Sequence, residues 1–233
     1  MKAVRVAMQG LGELFITLGV LLLLFVVWQL WWTDVEAGRS QAATTRQLEQ
    51  TWKREAPTAP PTSKPAVPSY KHVPMGKAFA LIRIPRFGRD YMRPILQGTE
   101  LSILDEGVGH YTQSVGPGAI GNFALAGHRV TYAKPFNLIA ELRPGDPIVI
   151  ETRTTWYVYR VQSHVIVTPD RVDVVAPVPE KPGAKATKAM MTMTACHPEF
   201  SASQRYVVFS RLVQTLPKAG GAVPSALSAP ARS

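Results

Sequence analysis

Residues Leu14 to Trp32 form an uncharged, apolar run of about 19 positions, and no other feature constrains the chain so strongly. A helix that long, at ~1.5 Å rise per residue, reaches about 28 Å, close to the ~30 Å of a bilayer's hydrocarbon core. A chain with one such run near its start has one membrane span and must fold the remainder on one side. Lys2 and Arg5 precede the run, and Asp34 and Glu36 follow it. This predicts a cytoplasmic N-terminus with the rest outside, and Trp28, Trp31 and Trp32 suit the outer interface. Val35-Glu36-Ala37 has the look of a small-residue cleavage site. The apolar run, however, exceeds the ~7–15 residues of a signal peptide, so the reading is a retained signal-anchor.

The expected organisation is a cytoplasmic 1–13, a transmembrane 14–32, an extracytoplasmic linker 33–75, a folded domain 76–216 and a disordered tail 217–233. Gly38 to Glu55 is polar with a few apolar residues, the pattern of a frayed helix. Ala56 to Pro74 is rich in Pro, Thr, Ser and Ala, which makes a semi-rigid spacer. The tail repeats that composition with glycine added. The chain carries 26 Lys+Arg against 16 Asp+Glu, a net charge of +10. Zinc-ligand spacing, a helix-turn-helix cue and basic–aromatic interleaving are all missing, so nucleic acid is not the expected partner. An anionic membrane or cell wall is.

Within 76–216, strands are read at 78–84, 93–96, 122–126, 146–151, 156–168, 190–196 and 206–213, and short helices at 100–106 and 135–141. Many short strands with few helices point to a mainly β domain, a closed or nearly closed antiparallel barrel.

Cys196 is the only cysteine, so it cannot form an internal disulfide. It ends a strand, Thr192-Met193-Thr194-Ala195, and His197-Pro198 breaks that strand. A lone cysteine often packs as a small hydrophobe. A side chain at a strand's C-terminal edge, by contrast, is rigidly held yet faces open space. An ordinary thiol, with a pKa near ~8.5, needs a base or a cation to act as a nucleophile. Arg205 begins the returning strand and can supply the cation. Of the five histidines, His128 ranks first as the base, because it ends the strand Gly121–Gly127 as Cys196 ends its own. His197 ranks second, since consecutive strand residues face opposite ways. His110, in the loop Gly107–Tyr111, ranks third. His72 in the linker and His164 within a strand are expected to be structural or solvated. No clustered Asp/Glu or His/Cys has metal-ligand spacing, so neither a metal nor another cofactor is expected.

Gly121-Asn122-Phe123-Ala124-Leu125-Ala126-Gly127-His128-Arg129, the Thr-x-Thr-x-Cys strand and Arg205 resemble the active-site signature of the sortases, membrane-anchored cysteine transpeptidases of Gram-positive bacteria. Gly107–Tyr111, Cys196-His197-Pro198 and Phe200-Ser201-Ala202 are similar to the class E branch of actinobacteria. The resemblance runs from about Phe79 to Val213. Met193 and Ala195 depart from the family's Thr-Leu-x-Thr-Cys, the first by a volume-conserving exchange. Ala195 replaces a threonine beside the thiol and removes no catalytic group.

The resemblance implies a closed eight-stranded sortase-type β-barrel behind one transmembrane helix. It also implies a secreted protein partner whose C-terminal sorting signal is of the Leu-Pro-x-Thr-Gly or Leu-Ala-x-Thr-Gly type. Cys196 would attack the threonine carbonyl, Arg205 stabilise the oxyanion and His128 serve as acid and base. A lipid-linked peptidoglycan precursor would supply the accepting amine. Tyr111, Thr194 and Ala195 are the substrate-binding candidates, Tyr111 for an alanine at the motif's second position. The alternatives are a pilin-polymerising sortase, an L,D-transpeptidase-like wall cysteine peptidase, and a binding barrel with an inert thiol. Thr194-Ala195-Cys196 lacks the Ser-x-Gly-Cys strand end expected of the wall peptidase.

Overall fold

The computed structural model describes residues 2–55, 70 and 72–228. One continuous helix, α1 (Lys2–Arg54), opens the chain. Its first part is long and apolar enough to cross a membrane, and Leu14 to Trp28 are exposed throughout. It does not stop at Trp32. The following residues are mostly good helix formers (Glu, Ala, Arg, Gln, Leu) with no proline before Pro57. Ala37, Gln41, Thr45 and Trp52 recur at intervals of four and seven, forming one buried stripe that docks on the folded domain. Where a frayed helix was expected from Gly38 to Glu55, the chain is thus an ordered, packed helix as far as Arg54. The spacer expected over 56–74 lies outside the described residues from 56 to 69 and at 71.

The domain is a closed eight-stranded barrel: β1 (Ala78–Arg83), β2 (Met92–Gln97), β3 (Val108–His110), β4 (Gly121–Ala126), β5 (Pro147–Glu151), β6 (Thr155–Val167), β7 (Ala189–His197) and β8 (Gln204–Pro217), in the order β1-β2-β3-β4-β7-β8-β6-β5. Seven strands match the sequence expectation to within a few residues. β3 was read as a loop, since three residues beginning Val108-Gly109 offer too little alternation to register. A four-residue α2 (Leu101–Leu104) lies within the first expected helix, and the second is only a 3-10 turn at Ile139–Glu141.

The barrel is not wholly antiparallel. β2 pairs with β3, and β4 with β7, in parallel. Alternating residues fill the interior, among them Phe123 and Leu125 of β4, Met191, Met193 and Ala195 of β7, and Tyr206 and Val208 of β8. β4 is buried on both faces, because the segment after β6 covers its outer side. Asn122 Nδ2 donates to Ala176 O at 3.0 Å, and Thr192 Oγ1 donates to Asn122 Oδ1 at 3.0 Å and to Val174 O at 3.2 Å. Part of the tail expected to be disordered instead forms a short helix α3 (Ser225–Ser228), while 229–233 lie outside the described residues. Its Ala226 and Leu227 pack on the cluster of Val149, Trp156 and Val158.

Candidate active site

The parallel pairing of β4 and β7 brings two distant strand ends to the same rim. Ala126 lies beside Thr194, and the ladder runs one residue further, with Gly127 N donating to Thr194 O at 3.1 Å. Two residues past that pair on each strand come His128 and Cys196. On the other side, the antiparallel β7–β8 register sets Cys196 directly opposite Arg205. Residues so paired have Cβ atoms about 4.5–5.5 Å apart. Phe123, Leu125, Met191, Met193 and Ala195 face the core, so alternation turns Ala126, Thr194 and Cys196 outward. His128, just past the end of β4, thus stands at the same rim of the barrel as Cys196 and Arg205, which pair across β7 and β8 and make a row with it.

Gly127 is what lets the chain turn here. A Cβ on it would sit 2.7 Å from the ring of Phe136, which is fully buried in the core. His128 Nε2 lies 2.9 Å from Asp105 Oδ1, just past α2, and its ring is 5.2 Å from that of Tyr132. Its side chain is 17% exposed, so it is held yet reachable. An imidazolium there has a carboxylate partner. Cys196 is half-buried. Arg205 Nη1 donates to Ala202 O at 2.8 Å and to Gln204 O at 2.9 Å, so the β7–β8 loop orients the guanidinium. Phe200, at 88% exposure, stands out from that loop.

The other histidines are elsewhere. His197 pairs with Gln204 and accepts at Nδ1 from Arg129 Nη1, 2.7 Å away, on the opposite side from the thiol. His110 is a core residue between Phe79 and Phe123. Its Nδ1 lies 2.7 Å from Gln97 Oε1, and its Nε2 2.9 Å from Ser114 Oγ. Desolvation holds its pKa down at about 4, so it is a neutral core group. The Ser114 hydroxyl then donates to Nε2 while Nδ1–H donates to Gln97. His164 is exposed and stacks on Tyr206, and His72 is exposed ahead of β1.

Among the substrate-binding candidates, Tyr111 Oη is 3.3 Å from Thr194 Oγ1. The Thr194 hydroxyl donates to Leu125 O at 3.2 Å, so it can accept from the tyrosine. Both lie on the outer face next to the row. Ala195 does not belong with them. Its methyl packs in the barrel core with Met193 and Tyr206, because strand alternation turns it away from the thiol's side.

Two residues of the site escaped the sequence. Asp105 is 23 positions from His128, and nothing in its neighbourhood distinguishes it from an ordinary helix-end carboxylate. Arg129 closes the Gly121–Arg129 signature run but was given no role there; it is 6% exposed. It reaches Cys196 O at 3.4 Å, His197 Nδ1 and Glu199 Oε1, and lies over the Tyr206 ring. It therefore ties together the chain that follows the thiol, from the Cys196 carbonyl to Glu199. Among the described residues, no group of three His, Cys, Asp or Glu side chains is placed to hold a metal ion.

Residues 82–213 match the family model described as "Sortase domain". Sortase SrtE1 of Streptomyces coelicolor is 39% identical over 227 residues, 94% of this chain and 61% of SrtE1's own length. Sortase SrtE2 of the same organism is 33% identical over 221 residues, 91% of this chain and 85% of SrtE2. The crystal structure of Streptomyces coelicolor sortase E1 with a tripeptide in the active site superposes with a TM-score of 0.60 at 39% identity. That alignment covers 65% of this chain and 97% of the other. With this barrel, this strand order and these matches, the chain belongs to the sortase family, whose enzymes are cysteine transpeptidases.

Proposed function

We propose that this chain is a membrane-anchored transpeptidase that cleaves a C-terminal Leu-Ala-x-Thr-Gly or Leu-Pro-x-Thr-Gly signal between Thr and Gly and transfers the threonine to a cell-wall precursor amine. The observation that carries this reading is the row of His128, Cys196 and Arg205. The Cys196 thiolate attacks the threonine carbonyl, forming a C–S bond. Arg205 donates to the oxyanion, a stabilisation of about 3–4 kcal/mol where a donor is well placed. On collapse the C–N bond breaks, and the His128 imidazolium gives its proton to the departing glycine amine. With Nε2 engaged by Asp105, Nδ1 is the nitrogen that exchanges this proton. The accepting amine returns a proton to His128 as it attacks the thioester and restores the thiolate. One amide replaces another, so no nucleotide is consumed.

The first part of α1 serves as the anchor, with the N-terminus cytoplasmic and the barrel outside. Gln41, where α1 meets the site, lies nine residues past Trp32, or about 14 Å along the helix at ~1.5 Å per residue. A site so near the membrane surface suits an acceptor carried on a lipid. Tyr111, beside Thr194 on the outer face, is positioned to favour alanine over proline in the signal's second place. The tripeptide bound in the active site of the Streptomyces coelicolor relative supports a peptide ligand here.

The test is mass spectrometry of the protein after exposure to each peptide with and without an amine acceptor. A thioacyl adduct on Cys196 that the amine discharges is the expected result. No adduct with either peptide, with a thiol that alkylates no faster than in denatured protein, would overturn the proposal.

A further inference from the structure

Asp105 and Tyr132, which contact the His128 ring, are held in turn by a single side chain of α1. Gln41 Nε2 donates to Asp105 O at 3.3 Å and to Tyr132 O at 3.0 Å. Asp105 gives its carboxylate to His128 Nε2, and Tyr132 lays its ring against the imidazole. Gln41 is 2% exposed, and its Oε1 is buried with no partner among the described residues. Burying an amide oxygen unpaired is unfavourable. Leucine or methionine would fill the space better, so the residue's contribution lies in its two N–H donors.

The loop it grips needs gripping. Tyr132, Ala133 and Lys134 have φ of 52°, 58° and 38°, three successive left-handed residues with Cβ atoms, each disfavoured by its own sterics. Such a stretch persists only where its surroundings over-determine it. α1 supplies them. Asp34 Oδ1 accepts from Ala133 N at 3.3 Å, and Asp34 Oδ2 pairs with Lys134 Nζ at 2.9 Å. Nearby, Ser40 donates to Glu106, fastening the end of α2 that carries Asp105.

We infer that Gln41 is a positioning residue for His128, and that the extracytoplasmic half of α1 completes the active site as well as tethering it. The inference rests on the proposed transpeptidation. The general acid is oriented only while α1 stays docked. A helix that continues from the apolar run into the site thus makes competence depend on the seating of the anchor.

The experiment uses the full chain in detergent micelles, with Gln41→Met keeping the volume and removing both donors, Gln41→Ala, and Thr45→Val as a buried change on the same stripe. Steady-state transfer from the sorting peptide, normalised to titratable Cys196, is read together with hydrogen exchange at Tyr132–Lys134. Gln41→Met is expected to lower kcat about 10-fold or more with KM unchanged, and to speed exchange in the loop. Thr45→Val should do neither. Wild-type kcat in Gln41→Met, a change confined to KM, or an equal loss in Thr45→Val would each overturn the inference. Absence of transfer in the wild type would instead count against the proposed function, and the loop exchange would then decide the role of Gln41 by itself.

Discussion

His128 and His197 each stand at the end of a strand, one near the thiol in space and the other next to it in sequence. Their partners separate their roles. His128 has a carboxylate and an open approach, whereas His197 has its Nδ1 taken by Arg129 on the inner side. Replacing His128 with alanine should therefore abolish peptide transfer, while His197→Ala keeps most of it, both measured as kcat/KM on folded protein. Arg205→Ala should lower kcat by about 10²–10³-fold, as the loss of an oxyanion donor does. His110 bears on stability. Its folded pKa of about 4 lies below the ordinary 6.5, so the unfolded chain binds more protons between those values and native stability falls as pH drops through that window. Roughly 3 kcal/mol is at stake over the whole interval. Urea midpoints followed by near-ultraviolet circular dichroism at pH 7, 5.5 and 4.5 should decline accordingly, and a flat profile would refute the assignment.

At the level of elements, the site depends on how strand ends are stopped. β4 ends where Gly127 lets Phe136 close over it, leaving no room for a Cβ. Gly127→Ala should destabilise the barrel by about 1–3 kcal/mol, as overpacking of a tight core does, seen as a lowered melting temperature. Strand existence was legible because large apolar residues at every second position, such as Phe123 and Leu125, carry the period of a strand. Two features were not. β3 is too short to show a period. The second half of α1 buries a stripe of only four residues, two of them polar, so its docking face is invisible without the surface it meets. Asp105 was illegible for the same reason, because an ion pair 23 residues apart leaves no local trace.

The molecule as a whole joins one apolar helix to one barrel, and its single thiol makes that arrangement testable. A membrane-impermeant maleimide added to intact cells should label Cys196, while an epitope tag placed before Lys2 stays protected from external protease. The opposite pattern would invert the topology. The sequence by itself determined the long apolar run, the mainly β domain and seven of its eight strands, and it singled out one thiol, one imidazole and one guanidinium, because periodicity and residue chemistry are local properties. Only the tertiary structure decided that the three meet. Their meeting requires β4 and β7 to run parallel, so that both strands end at the same rim. An antiparallel pairing would have put His128 and Cys196 at opposite ends of the barrel, and strand direction is set by the packing of the closed sheet and not by anything within either strand. The same holds for Gln41, whose role exists only where helix and loop touch.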